Sequence, residues 1–300
     1  MNGPQKMFGP HVNRDRAPAG APLAAHVEAA RREAEAESGF PIRAAAVFVG
    51  GPRVRRVSLS DAEAADLRAY SARAGVRLVA HSAYVAAPWR GDAAAAAHIR
   101  AEAAACQAAG IGALVVHLPK LPLEAVLARA GDLLCPAAPG VRIFLETPAV
   151  RPAESFYETP AKLAALLRAL AAAGWGGRFG VCVDTAHLWT CGVDLASRAA
   201  AEAWLQGLEA EGVPFGALMF HLNDSARPRG VGPDAHAPLG RGLIWGRYAG
   251  GDFAAGDFAD SGLAAFVDFA RRHSLVAILE RSPPGGLRGD YALLRALGAA

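Results

Sequence analysis

The sequence predicts an α/β protein folded as a TIM (β/α)8 barrel with its active site at the C-terminal strand ends. Three observations carry that prediction. Eight short apolar runs, rich in β-branched and large aliphatic residues, alternate with helical patterns along the chain. Runs of that kind are how parallel strands covered on both faces read. Glycines stand directly after the last turn of several helical patterns, at Gly75, Gly110, Gly174 and Gly212, where a left-handed cap is wanted. No linker divides the 300 residues, so the β/α units are expected to fill one domain, as a barrel in preference to a doubly wound open sheet.

Taken in order, the chain begins polar and Pro/Gly-rich, with a frayed start expected over 1–5 and a first strand over 7–12. Interleaved Ala, Glu and Arg then predict a helix over 22–38, stopped by Gly39. Further strands are expected at 43–49, 76–80, 113–116, 141–145, 179–183, 217–220 and 276–279, and helices at 61–74, 92–109, 123–134, 160–173, 197–211 and 263–273. The Ala-rich tracts at 93–97 and 171–173 are interrupted by charges at helical spacing, which makes them outer helices and not low-complexity sequence. The segment 225–260 breaks the rhythm. It is rich in Gly, Pro, Arg and Asp and too long for an ordinary turn, so it reads as a functional loop.

Composition narrows the class. Hydrophobic residues make up 53% of the chain, enough for a sizeable core, although many are alanines that bury little area each. A formal net charge of only +3 means that any nucleic-acid surface must come from local clustering of arginines. Cys106, Cys135, Cys182 and Cys191 form no CxxC pair and no regular spacing, as expected of reduced thiols and not of a disulfide framework. The sequence has neither a long uncharged apolar run nor a signal-peptide core, so a soluble intracellular protein is expected, away from membranes.

The strand ends carry the chemistry. His81, His117, Glu146, Asp184, His221 and Glu280 follow six consecutive predicted strands, with His187 just beyond Asp184 and Asp234 and His236 in the long loop. Asp and His are depleted in strands and costly to bury unpaired. One such residue can be a satisfied rim histidine or a helix cap, as Asp184 or Asp224 could be, but six consecutive ends together point to a metal site. The remaining histidines His26, His98 and His273 fall on helical patterns. His11, at the first strand end, is expected behind the ligands and not among them, as is Asn223. A barrel brings its C-terminal strand ends to one mouth, and imidazoles with carboxylates suit a borderline divalent ion. Nine such residues exceed the needs of one ion. Two or three clustered ions suit phosphate-ester hydrolysis.

At these residues the sequence resembles the endonuclease IV family of apurinic/apyrimidinic endonucleases. Gly9-Pro10-His11-Val12-Asn13 looks like the family's GAHVS and His81-Ser82-Ala83-Tyr84 like its H-x-x-Y. Val181-Cys182-Val183-Asp184-Thr185-Ala186-His187 is similar to VCxDTxH, and His221-Leu222-Asn223-Asp224-Ser225 to HLNDS. Asp234-Ala235-His236 and Ile278-Leu279-Glu280 complete the series near the C-terminus.

The resemblance implies a trinuclear zinc centre in a TIM barrel. One zinc would be held by His81, His117 and Glu146, with Glu146 bridging to a second that takes Asp184, His221 and Glu280. The third would lie between His187, Asp234 and His236. It further implies hydrolysis, in base excision repair, of the phosphodiester 5′ to an abasic site, leaving a 3′-hydroxyl and a 5′-deoxyribose phosphate. The resemblance makes Glu280 and Glu146 the expected catalytic carboxylates, with Glu280 orienting the attacking water. The expected partner is double-stranded DNA containing abasic sites, acted on by a monomer. Arg53, Arg55, Arg56, Tyr84, Arg227 and Arg229 are the expected DNA contacts.

The sequence departs from the family pattern at Leu118-Pro119-Lys120, where Pro-Gly and a further His are usual. Thr147-Pro148 replaces Asn-Thr, and Arg241 stands where Glu is common. Two rivals remain on sequence grounds. A single-metal sugar isomerase or epimerase would need only a quartet such as Glu146, Asp184, His221 and Glu280. A catalytically silent DNA-binding homologue would have no use for nine ligands.

Overall fold

The computed structural model describes residues 7–149, 156–248, 255–281 and 288–298. The frayed start expected over 1–5 lies outside the described residues, as do 249–254 of the expected 225–260 loop. Eight parallel strands close into a barrel: β1 (Met7–Val12), β2 (Ala44–Val47), β3 (Arg77–His81), β4 (Ala113–His117), β5 (Arg142–Glu146), β6 (Phe179–Asp184), β7 (Leu218–His221) and β8 (Val276–Leu279). Each pairs in parallel with its sequence neighbours, and β8 closes the ring on β1 through Met7↔Val276 to Pro10↔Leu279. The (β/α)8 barrel expected from the sequence is therefore the observed fold. At Gly9, where β1 runs beside β2, a Cβ would collide with the Ala44 carbonyl, so the close approach of these strands requires glycine.

The outer helices are α1 (Leu23–Ser38), α2 (Asp61–Ala74), α3 (Ala93–Ala108), α4 (Leu123–Ala130), α5 (Pro160–Leu170), α7 (Arg198–Ala210), α9 (Gly262–His273) and α10 (Arg288–Ala296), with the short α6 (Thr185–Thr190) and α8 (Ala255–Phe258) between them in the chain. Their starts follow capping chemistry. Ser60 and Glu63 form a reciprocal capping box on α2, and the Asp92, Thr159, Ser197 and Ser261 side chains accept first-turn amides of α3, α5, α7 and α9. The second strand, Ala44–Val47, is shorter than the expected 43–49. Beyond it the chain turns into a hairpin, Gly50–Gly51 against Val54–Val57, that carries Arg53, Arg55 and Arg56.

Two apolar layers explain how the barrel positions its site. Alternate strand residues such as Leu78, Leu114, Ile143 and Val181 pack against the helices. The intervening residues Val79, Val115, Phe144, Cys182, Met219 and Ile278 pack with one another in the barrel interior. Successive side chains on a strand point to opposite faces, so the inward-facing position two residues beyond each of these is His81, His117, Glu146, Asp184, His221 and Glu280 in turn. The ligand-type residues are the next rung of the same inward ladder, where the apolar filling gives way to the open mouth.

Candidate metal centre

Glu146 is the hub of the mouth. Its carboxylate is fully buried, with Oε2 3.1 Å from His81 Nε2 and 2.8 Å from His117 Nε2, and Oε1 2.8 Å from His221 Nδ1. Glu280 approaches the same group, its Oε2 3.2 Å from His221 Nδ1. His81, Glu146, His221 and Glu280 each present one ligand atom within 4.8 Å of the others, and Asp184, His187 and His236 do the same. Asp234 joins the second set through His236 Nε2 at 2.9 Å and His187 Nε2 at 3.7 Å. All nine sequence-predicted ligand residues thus meet at one mouth. Nearest-neighbour spacing cuts across the partition implied by the resemblance, since Asp184 sits beside His187 and His236 while His221 sits beside Glu146.

The opening residues of α6 explain the double use of Asp184. Its Oδ1 caps the helix by accepting the His187 N–H at 2.9 Å, while Oδ2 faces the centre. Cap and ligand-type group are therefore one side chain, so the two readings of Asp184 do not exclude each other. Asp224 caps none of the helices whose N-caps are described. Its carboxylate accepts the backbone N–H groups of Ser225, Gly240, Gly242 and Ile244 at 2.8–3.1 Å, tying down the loop that carries Asp234 and His236. A Cβ at Gly242 would strike that carboxylate.

Backbone carbonyls set two imidazole tautomers. His81 Nδ1 lies 2.7 Å from Ser82 O and His187 Nδ1 lies 2.7 Å from Thr147 O. A carbonyl can only accept, so each Nδ1 is a donor and each Nε2 is the ring nitrogen turned to the centre, the one through which a metal-ligating histidine held in this way binds. Asn223 lies behind the carboxylates as expected. Its Nδ2 donates to Asp184 Oδ2 at 2.6 Å and to Glu280 Oε2 at 3.0 Å, and its Oδ1 accepts the Glu280 N–H. His11 lies 3.6 Å from Glu280 Oε1, also behind the set.

The electrostatics are those of a site built for cations. Burial opposes the ionised forms of Glu146 and Glu280, yet the adjacent imidazoles, His117 and His221 for Glu146 and His221 for Glu280, hold both carboxyls well below the usual range. Burial likewise opposes protonation of His187, His221 and His236. Carboxylates overcome it at His187, carried well above the ordinary value, and at His236, carried to about 9, while at His221 Cys182 acts first and Glu280 and Glu146 after it, again well above the ordinary value. Burial raises Asp184, whereas His187 and His236 hold Asp234 low. Protons on the imidazoles thus balance the carboxylates where divalent ions could. Asp234 Oδ1 is buried with no hydrogen-bond partner among the described residues, and the donor set is imidazole and carboxylate throughout. The residues fit a metal cluster.

A cleft of about 840 Å³ opens on the centre, bordered by Tyr84, Trp89, Lys120, Pro148, His187 and Arg281 among others. Tyr84 is 50% exposed and its ring stacks at 5.6 Å on that of His117. Of the predicted DNA contacts, Arg53, Arg56 and Arg227 are exposed and form no ion pair among the described residues. Arg55 is instead bound to Asp92 at 2.7 Å and to Val85 O, and Arg229 to Asp194 at 2.7 Å. Sequence reasoning missed Thr147, whose Oγ1 accepts the Asp184 N–H, and the basic Arg90, Lys120 and Arg281 around the cleft. Thr147 directly follows a ligand-type residue, which was the available signal.

A closed parallel barrel whose inward ladder ends in clustered imidazoles and carboxylates defines a metal-site barrel enzyme, and residues 33–250 match the family of xylose isomerase-like TIM barrels. Within that class the similarities are specific. The probable AP endonuclease of African swine fever virus (isolate Tick/Malawi/Lil 20-1/1983) is 34% identical over 258 residues, 85% of this chain and 84% of the relative. A solved structure named AsfvAP:AG superposes with a TM-score of 0.86 at 31% identity, covering 97% of this chain and 96% of that one. Endonuclease IV from Thermus thermophilus follows with a TM-score of 0.73 at 26% identity over 97% and 98% of the two chains. The chain belongs to the endonuclease IV family of AP endonucleases. A D-tagatose 3-epimerase-like protein, at 16% identity and a TM-score of 0.58, shares the fold alone.

Proposed function

We propose that this protein is a zinc-dependent AP endonuclease of base excision repair, hydrolysing the phosphodiester 5′ to an abasic site in double-stranded DNA to leave a 3′-hydroxyl and a 5′-deoxyribose phosphate. The observation that carries this reading is the meeting of His81, His117, Glu146, Asp184, His187, His221, Asp234, His236 and Glu280 at one mouth. Five imidazoles and four carboxylates are more than a one-metal isomerase needs. In this reading His81, His117, Glu146, Asp184, His221 and Glu280 would hold two zinc ions, Glu146 serving both, and His187, Asp234 and His236 would hold a third. Such ions, when bound, make water acidic enough to be a nucleophile near neutral pH and neutralise charge gathering on phosphate oxygens.

The remaining work falls to the chain itself. Glu280 orients the attacking water, and Asn223 holds Glu280 at two points, donating to its carboxylate and accepting its backbone N–H. Removing an abasic nucleotide from the stack is least costly because no base is left to unpair. Tyr84, half exposed beside His117, supplies an aromatic face at the mouth. Arg53, Arg56 and Arg227 hold backbone phosphates, while Arg55 and Arg229, engaged with Asp92 and Asp194, brace the loops that present them. The protein acts inside the cell as a monomer.

The test is incision of duplex DNA carrying one tetrahydrofuran abasic analogue. The expected result is a single nick 5′ to the lesion that disappears after chelation and returns with Zn²⁺. Absence of nicking by metal-replete protein overturns the reading. One ion per chain by metal analysis would favour the isomerase.

A further inference from the structure

A second buried carboxyl lies behind the mouth. Glu102 projects from α3 and is 1% exposed. Its Oε1 accepts the Ala83 N–H at 3.1 Å, and His98, one helical turn earlier, brings Nε2 to 3.2 Å from the same oxygen. A carboxyl on an outer helix of a barrel normally faces water, and burying it costs several kcal/mol on the order-of-magnitude scale for such groups. What it reaches is the segment directly after β3.

The peptide unit joining Ser82 to Ala83 is held at both ends. Its carbonyl, Ser82 O, takes the Nδ1 proton of His81, and its N–H donates to Glu102. In a planar trans peptide the C=O and N–H point in opposite directions, so an acceptor fixed on the N–H side fixes the direction of the carbonyl. The connection therefore runs from Glu102 Oε1 through one rigid peptide to His81 Nδ1, leaving His81 Nε2 3.1 Å from Glu146. Hydrogen bonds in series in a dry interior strengthen one another.

We propose that Glu102 is a positioning residue for the metal centre, which through the Ser82–Ala83 peptide sets the tautomer and ring orientation of His81. It plays, across one peptide, the part that a carboxylate in direct contact plays for many metal-bound histidines. The same peptide leads into Tyr84, whose ring lies 5.2 Å from that of His81, so Glu102 also fixes the start of the segment bordering the cleft. The inference rests on His81 being a metal ligand, as proposed above.

The experiment compares full-length wild type with Glu102→Met, Glu102→Asp and Glu102→Gln, reading Zn²⁺ affinity by chelator competition and the visible absorption of the Co²⁺-loaded protein, with circular dichroism of the metal-free forms as the fold control. Gln keeps a carbonyl acceptor at the same reach and is expected to stay within about twofold of wild type. Met removes the acceptor at similar volume and is expected to weaken one site about 10- to 100-fold, the usual scale for such support, and to alter the cobalt spectrum. Asp withdraws the acceptor by one methylene and falls between. A folded Glu102→Met protein with wild-type affinity and spectrum overturns the proposal. If the Met variant does not fold, Glu102→Asp decides: equality with Glu102→Gln overturns it, and a weaker site with a changed spectrum supports it. None of these readings uses DNA, so a failure of wild type to incise abasic duplexes overturns the endonuclease reading alone.

Discussion

His117 and Glu146 are register partners on adjacent strands, each the last residue of its strand, and their side chains meet at 2.8 Å. The pairing places an imidazole whose side chain is 45% exposed directly against a carboxylate with no exposure. Glu146 is the member that three histidines share, so Glu146→Gln should do more than remove one ligand. The amide keeps the shape but cannot offset imidazolium charge or bridge two ions. Metal content by mass spectrometry should fall by at least one ion per chain, and incision of abasic duplex should drop about 10³-fold or more, on the scale of losing a principal electrostatic group. Retention of both full metal content and full incision would remove Glu146 from the hub.

Metal binding should release protons, with a pH dependence opposite in sign to that of the metal-free fold. His236 titrates at about 9 in the metal-free protein, and His187 and His221 lie well above 6.5. All three are protonated at pH 7, whereas a ligating imidazole must be neutral. Calorimetry of Zn²⁺ binding in buffers of different ionisation enthalpy should therefore show net proton release near pH 7, and affinity should rise with pH. For the metal-free fold the sign reverses. A histidine whose folded pKa is raised contributes stability that is complete below its unfolded value near 6.5 and is lost as pH climbs through its folded value, about 9 for His236. Metal-free melting temperature should fall across that window while metal affinity increases. Parallel slopes would contradict the assigned protonation.

Asp224 should be indispensable to the loop it anchors. Four backbone N–H groups converge on one carboxylate that burial pushes up to about 6. Asp224→Ala would leave those donors without their acceptor, at a cost on the order of 3 kcal/mol or more. The damage should concentrate on the segment bearing Asp234 and His236. Expected outcomes are a lower melting temperature, faster limited proteolysis between 225 and 248, and loss of one ion with the others retained. Uniform loss of all metal would place the role of Asp224 in the barrel as a whole.

How much of this was legible in the sequence follows from the range of the physics involved. The strand-end residues could be read because a two-residue repeat and barrel closure are enough to bring them together: His81 follows Val79 on the same face as Glu146 follows Phe144. Asn223 and His11 were legible as neighbours of that ladder. The helix at Thr185–Thr190 was not, since six residues after an Asp cap are too few for a periodic signal. Glu102 was invisible because its partner lies 19 residues away on another element, and nothing in an Ala-rich helix marks one carboxyl as buried. The distribution of ligand-type residues into close groups depends on side-chain rotamers, which strand spacing does not specify. The ion pairs of Arg55 and Arg229 likewise depend on Asp92 and Asp194, acids brought near only by the fold.

Those ion pairs separate two kinds of arginine at the mouth, and binding measurements should separate them too. Arg53 is exposed at the hairpin turn and forms no ion pair among the described residues. Arg55, two residues on, donates to Asp92 Oδ2 at 2.7 Å and to Val85 O at 3.1 Å, joining the hairpin to the segment that carries Tyr84. If Arg53 neutralises a phosphate, Arg53→Ala should weaken binding of abasic duplex by a factor of about 3–10 whatever the flanking sequence, and lower the slope of log affinity against log salt by about 1. Arg55→Ala should leave that slope unchanged, because its charge is already spent on Asp92, and should act on the incision step by loosening the Val85 backbone beside Tyr84. The exposed Arg55–Asp92 pair itself is worth little, so Arg55→Ala should melt close to wild type, whereas Asp92→Ala, which also removes the cap of α3, should melt measurably lower. A salt slope that falls equally for Arg53→Ala and Arg55→Ala would mean that Arg55 leaves Asp92 for the DNA backbone, and the hairpin would then present both arginines to phosphate.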